Sequence, residues 1–361
     1  NEQSAPLAES HPNDQLTVML ITAEGNTVIK PVWGITREQV EAQARELRYQ
    51  ATSQFSRPSE YLPPAQQLYD WIIQPIQSEL EQRGISSLSF ILDDGLRTFP
   101  IAALHDGEQF LLENYSIGLM PSFSLTELAP AYGSGSTLHQ SEVLAMGASR
   151  FTDQPPLPAV EAELDIIADD LWAGEAFLNE DFTLANLTTE ISKEQYGIVH
   201  LATHAVFEPG NYEASYIQLW NEKITLPELD KLNLSESTID LIILSACNTA
   251  VGDRTSEYGF AGFAVNAGSQ SALASLWPVS DEGTLGFMTQ FYEQYATSNT
   301  RAEALRQVQI NMLRGNISIE NGTVIGQDGA IAHIPELAES GSWDFSHPFY
   351  WSAFTMIGNP W

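Results

Sequence analysis

Two residues in this chain have the chemistry for nucleophilic attack on a carbonyl: the single cysteine, Cys247, and one of the seven histidines, His204. A thiol becomes a competent nucleophile at neutral pH when a nearby imidazole takes its proton, and that imidazole can later protonate a leaving amine. His204 ends the apolar run IVHLATH (Ile198–His204), and Cys247 ends LIILSAC (Leu241–Cys247). Both runs read as buried strands. In an open parallel sheet the ligand site lies beyond the carboxyl ends of the strands. Neighbouring strands would therefore bring the two residues to one rim. Backbone amides at Ala205 and Cys247 would face a developing oxyanion there, and the small Ser245 and Ala246 would let a substrate backbone approach. Spacing alone leaves a plainer reading open, with Cys247 a small buried apolar residue and His204 a hydrogen-bonded one.

Other chemistries fit less well. His200 and His204 form an HxxxH pair, a metal signature on a helix. On a strand the two lie about 13 Å apart, and no Glu follows the first His as zinc hydrolases require. His200 reads as a buried, hydrogen-bonded strand residue, and neither metal nor cofactor is expected. Ser149 and Ser245 lack the Gly-x-Ser-x-Gly elbow of a serine nucleophile.

Composition narrows the partners. Lys and Arg number 15 against 47 Asp and Glu, a net charge of −32. Such a chain repels nucleic acid and anionic lipid and attracts basic peptides. One cysteine excludes an intramolecular disulfide and a cysteine zinc cluster. The longest uncharged stretch, Tyr258–Ser280, is interrupted by Gly, Ser, Asn and Gln and reads as core helix and strand, not as a membrane span. No basic apolar leader is visible, so the expected compartment is the cytoplasm.

The elements that must position the pair follow from periodicity. Residues 1–15 read as a disordered lead, and Leu16–Trp33 as a hairpin turning at Glu24-Gly25-Asn26. Helices follow over 36–50 and 64–83, the second interrupted at Pro75. SLSFILDDG and YSIGLMPS each hold a strand, with a short helix after the latter. Tyr132–Glu142 is rich in Gly and Ser and separates an N-terminal α+β accessory lobe (16–135) from a second domain (142–361). In that domain strands and helices alternate. Helix 159–174 points Val160, Leu164, Ile167 and Leu171 inward. Helices 183–192, 258–267 and 281–297 follow, and a capping box at Thr300 and Glu303 opens one more, to Arg314. Residues 315–347 read as a long irregular insertion and PFYWSAFTMIG as the final strand. This alternation predicts an α/β fold, a mostly parallel sheet flanked by helices.

The stretches HLATHAVF, LIILSACNTAVGD, GFAGFAVNAGSQSALASLWPVSDEGT, MTQFYEQY, RAEALRQVQINML and PFYWSAFTMIG, in this order, resemble the CHAT family of cysteine peptidases, in the clan of separases, caspases and gingipains. FILDDGLRTFPIAALHDGEQFLLENYSIGLMPSFSL looks like the family's N-terminal segment. The resemblance covers about 60–361. It implies a caspase-like fold, with His204 as general base and Cys247 as nucleophile of a dyad, an accessory lobe that is a degenerate half of the protease, and control by an activating partner or by tetratricopeptide repeats upstream. Two departures are small: Ala205 stands where Gly is common, and Ser149-Arg150 where a Gly-Asp/Asn-Pro turn is common.

SLWPVSDEGT resembles the separase segment that supplies an acid to a pocket for a basic residue. By position Asp281 is that acid, with Glu282 beside it, which implies cleavage of polypeptides after Arg or Lys. Both also follow Ser280 at a helix start, where acids simply favour the dipole. Trp277 and Pro278 end a strand whose edge could pair with an extended substrate, although Trp277 suits the core equally. Arg150, turned inward near Asp153, would instead favour an acidic residue, and Arg254 is a candidate self-cleavage site. The contrasting expectation is a catalytically silent module that binds peptides or proteins.

Overall fold

The computed structural model describes residues 10–361 apart from 94, 122–140, 209–210, 212, 233, 235–236, 238, 246–258, 328 and 339–340. In chain order the N-terminal strands are β1 (Gln15–Ile21), β2 (Thr27–Thr36), β3 (Ser87–Phe90) and β4 (Ser116–Leu119). Then come β5 (Glu142–Gly147), β6 (Gly174–Leu178), β7 (Tyr196–Ala202), β8 (Ala205–Val206), β9 (Tyr216–Gln218) and β10 (Lys223–Thr225). The last seven are β11 (Leu241–Ser245), β12 (Ser271–Ser275), β13 (Ser318–Glu320), β14 (Thr323–Gly326), β15 (Gly329–His333), β16 (Ser342–Asp344) and β17 (Phe354–Gly358). Helices α1 (Arg37–Ala51), α2 (Pro58–Ile72), α3 (Gln74–Gln82) and α4 (Leu111–Asn114) precede β5. After it come α5 (Ala159–Asp165), α6 (Leu184–Ile191), α7 (Gly259–Asn266), α8 (Asp281–Tyr295), α9 (Arg301–Leu313) and α10 (Pro348–Trp351).

Eight strands form the central sheet, in the order β3-β4-β17-β12-β11-β7-β5-β6. Five of them, β6 to β12, run parallel. β17 reverses direction against β12, and β4 and β3 follow β17. β5, β7, β11 and β12 are buried apart from Glu142, as near-continuous apolar runs covered on both faces must be. The N-terminal segment thus extends the same sheet through β3 and β4, and one apolar core runs through both parts of the chain. The register matters for function: Ser245 of β11 lies opposite Ala202 of β7. His204 and Cys247 each come two residues later in the sequence.

The helix expected over 64–83 is two helices. α2 ends at Ile72 and Pro75 lies in the first turn of α3, where its missing N–H is harmless. The insertion at 315–347 is not irregular. It forms a four-stranded antiparallel sheet, β15-β14-β13-β16, that packs on α8. Its strands are too short to show alternation, but Asn321-Gly322, both at positive φ, closes a two-residue hairpin between Glu320 and Thr323. The final segment also splits. PFYW is the helix α10, capped by His347, and only Phe354 onward is strand.

α1 is tied to the sheet by Arg48, which donates to the Thr98 carbonyl at 2.6 Å and to the Leu276 carbonyl at 2.9 Å. Two charge-assisted bonds from one partly buried guanidinium predict that Arg48→Ala lowers stability by about 2–3 kcal/mol, to be read from urea unfolding. Among the described residues no helix is long and apolar enough to cross a membrane.

Candidate active site

β7 stops at Ala202 because the chain there leaves the central sheet and pairs with β9. The Thr203 hydroxyl donates to the Gln218 carbonyl at 2.6 Å, and the Gln218 amide donates to the His204 carbonyl at 2.9 Å. The second bond makes His204 and Gln218 a hydrogen-bonded pair. The next pair, Ala205 and Ile217, is then a non-bonded one, with the Ala205 amide turned away from β9. Ala205 is not among the residues at positive φ, so its methyl group costs the backbone nothing where glycine is common.

The His204 ring is half-buried and held at one nitrogen. Nε2 lies 2.8 Å from the Pro155 carbonyl oxygen. A carbonyl only accepts, so Nε2 carries the proton and Nδ1 is left as the basic nitrogen. The loop that presents Pro155 is itself fixed. The Ala148 amide donates to Ala202, the Ser149 amide to Asn179 Oδ1 at 3.0 Å, and the Leu157 amide to the Ser149 carbonyl at 2.9 Å. Phe151 from the same loop packs its ring 4.6 Å from the imidazole. Arg150 and Asp153 are exposed on this loop.

Beneath the rim is a buried carboxylate. Glu163 of α5 is 1% exposed, accepts from Ser245 Oγ at 2.7 Å, and lies 2.9 Å from His200 Nε2. His200 Nδ1 is 3.3 Å from the Tyr292 hydroxyl. Glu163 therefore bridges the strand leading to His204 and the strand leading to Cys247. Ser245 spends its hydroxyl on this bridge, and His200 belongs to the core. Removing one member of such a network leaves the others buried without partners. Glu163→Ala should destabilise the fold by about 3–5 kcal/mol, with Glu163→Gln milder, as read from chemical denaturation.

Asp281, Glu163, Thr203, His204 and Ser245 line one small cavity of about 30 Å³. Asp281 accepts from the Ala159 amide at 2.6 Å and so joins the start of α8 to the start of α5. Burial pushes its carboxyl up to about 7, and Glu163 and Glu282 add to the rise against the opposing bond from Ala159. Glu282 is half-buried in the same first turn, beside the N-cap Ser280. The Trp277 side chain is 2% exposed and its indole donates to the Phe349 carbonyl at 3.0 Å, so it serves the core. Pro278 is exposed. The edge of β12 is not free for a substrate: β11 pairs with one side, β17 with the other, and Leu276 still bonds to Ala353. Cys247, Ala246, Arg254, the helix expected after YSIGLMPS and most of the Tyr132–Glu142 linker lie outside the described residues. Among the described residues no group of three or more His, Cys, Asp or Glu is placed to hold a metal ion.

The family model for the CHAT domain matches residues 62–359. The chain belongs to the CHAT family. Among solved structures, this CHAT chain is similar to the Arg-specific cysteine proteinase gingipain R, at 10% identity over 99% of this chain and 79% of that one, TM-score 0.52. It is similar also to the RgpB pro- and mature-domain complex of Porphyromonas gingivalis, at 10% identity over 90% and 77%, TM-score 0.50. A chain of the Saccharomyces cerevisiae separase–securin complex aligns at 14% identity over 92% of this chain, TM-score 0.48. This CHAT chain spans about a fifth (21%) of that separase-complex chain. A search of curated proteins gave no match. The fold is thus that of the caspase-like cysteine peptidases.

Sequence reasoning missed three parts of the site. The Pro155 carbonyl and the Phe151 ring carry no sequence signature. Glu163 does: it falls between Val160 and Ile167 on the inward face of its helix, where a carboxylate must have a buried partner.

Proposed function

We propose that this CHAT protein is a cysteine endopeptidase that cleaves polypeptides after Arg or Lys. The observation that carries the reading is His204, held by the Pro155 carbonyl at Nε2 with Nδ1 left basic, at the end of the strand beside the one leading to Cys247. His204 Nδ1 takes the Sγ proton of Cys247, and the thiolate attacks the scissile carbonyl carbon. The amides of Ala205 and Cys247 hold the oxyanion. As the C–N bond breaks, the imidazolium returns its proton to the leaving amine, and water then hydrolyses the thioester with His204 again as base. The Pro155 carbonyl takes the place of a carboxylate orienter, fixing the ring through both charge states.

Asp281 supplies the negative charge for the basic side chain before the scissile bond, with Glu282 beside it. The cavity of about 30 Å³ has room for about one water. Admitting a guanidinium requires its walls to part, which fits an enzyme switched on by a partner or by an upstream tetratricopeptide region. The same small cavity favours the second reading, a silent peptide-binding module. An Arg-directed acyloxymethyl ketone separates the two. The peptidase predicts one adduct, at Cys247 by mass spectrometry. Absence of that adduct from the chain, both alone and in its full-length context, would support the binding module.

A further inference from the structure

A second cavity lies away from His204. It measures about 390 Å³ and is walled by β1 on one side and by β3 with its continuation to Asp93 on the other. β3 is the outermost strand of the central sheet, and β1 pairs only with β2. Both edges are therefore unpaired among the described residues.

The registers show which backbone groups those edges offer. The Thr22 amide donates to the Asn26 carbonyl at 2.9 Å. Alternation along the hairpin then gives bonded pairs at Leu20 with Val28 and Val18 with Lys30. Thr17 and Met19 turn their amides and carbonyls outward, and Pro31 lies opposite Thr17, where no N–H is needed. On β3, Ser86 and Phe90 accept from Ser116 and Met120, at 2.9 and 2.8 Å. Ser89 and Ile91 are thereby left facing outward. Thr17, Met19, Ser89 and Ile91 all line the cavity.

Two unpaired ladders opening on one cavity are satisfied by an inserted extended chain. The cavity's interior is apolar, with Leu20, Val40, Ile76 and Leu88 buried, and takes one face of such a strand. Its rim is acidic: Asp14, Glu41 and Asp93 pair with Arg37, Arg45 also bridges Glu41 from outside the cavity, and Arg97 donates to the Leu92 carbonyl. Three carboxylates line the cavity with only Arg37 among its lining residues to offset them, and on a chain of net charge −32 they favour basic side chains on the other face. We propose that this cavity docks an extended segment of a partner protein with alternating apolar and basic residues, which adds as a strand between β1 and β3. The proposal does not depend on peptidase activity.

The probe is a labelled decapeptide alternating Val and Lys, compared with one of the same composition in two blocks. Both are titrated at about 0.3 M salt, which screens diffuse attraction. The expected result is saturable binding of the alternating peptide alone, with slowed hydrogen exchange at Thr17, Met19, Ser89 and Ile91. Ser89→Pro removes an outward N–H without touching the bonds from β3 to β4 and should weaken binding at least tenfold. Asp14→Lys with Asp93→Lys, which leaves the backbone intact, should do the same. Equal binding of the block peptide, protection elsewhere, or indifference to both variants would overturn the proposal. Protection of these amides by dimerisation alone would give the site to a second copy. Protection in the free monomer that is lost on removing residues 1–9 would give it to the chain's own N-terminus. Either result refutes the partner.

Discussion

On the proposed function, Asp281→Asn should lower kcat/KM for peptides with Arg before the scissile bond by about 10²- to 10³-fold, the cost of leaving a buried charge without its partner. Citrulline, nearly the shape of Arg but uncharged, serves as the control: its turnover changes little. The same substitution stabilises the protein at alkaline pH. Burial raises the Asp281 carboxyl from 3.8 to about 7. Between those values the folded chain holds a proton that the unfolded chain has lost, so stability falls as pH rises through that window and stays reduced above it. The penalty grows by about 1.4 kcal/mol for each pH unit crossed between them. Asn has no proton to lose and its amide oxygen can still accept from Ala159. Its melting temperature should therefore exceed that of wild type at pH 8 and converge with it near pH 4. Cleavage after Arg by wild type should rise through about pH 7 in kcat/KM, where free enzyme is titrated. Equal losses for Arg and citrulline peptides would remove Asp281 from specificity and leave it as the cap of α5.

Parts of this arrangement were legible in the sequence because they depend on local pattern. The strands ending before His204 and Cys247 are apolar runs too short for helices, and the break at Pro75 follows from a missing N–H. The order of the strands was less legible. Nothing local says that β17 reverses against β12 or that β3 and β4 join the same sheet, since pairing partners are chosen by tertiary packing. The sheet at 315–347 hid behind three- to five-residue strands, although Asn321-Gly322 announced its first turn. Within the candidate site, the sequence could nominate side chains with chemistry but not the groups that hold them. Pro155 acts through a backbone carbonyl that every residue has. For Trp277 the sequence left a substrate edge and the core equally open, and its indole bonds within the core.

Substituting the dyad should have the largest effect of all. On the proposed dyad, Cys247→Ala and His204→Ala should each reduce kcat by about 10⁴-fold or more, because one would remove the attacking atom and the other the group that ionises it. The double variant should be no slower than the worse single one, since the two act as a unit. His204 makes no bond to the Glu163 bridge, so the melting temperature of His204→Ala should stay near wild type. Cys247→Ala should also still bind an Arg-terminated peptide aldehyde or its product, because Asp281 remains. His204 can be probed more finely through its supports. Phe151→Ala frees one face of the ring while Pro155 still holds Nε2, and should cost about tenfold in kcat with KM nearly unchanged, as misplacement of a base does. If Cys247→Ala silenced the enzyme while His204→Ala cost only a few-fold, the proton would have to leave by another route. His200 could not provide it, being fully buried and engaged by Glu163 and Tyr292, and the proposed dyad would fail.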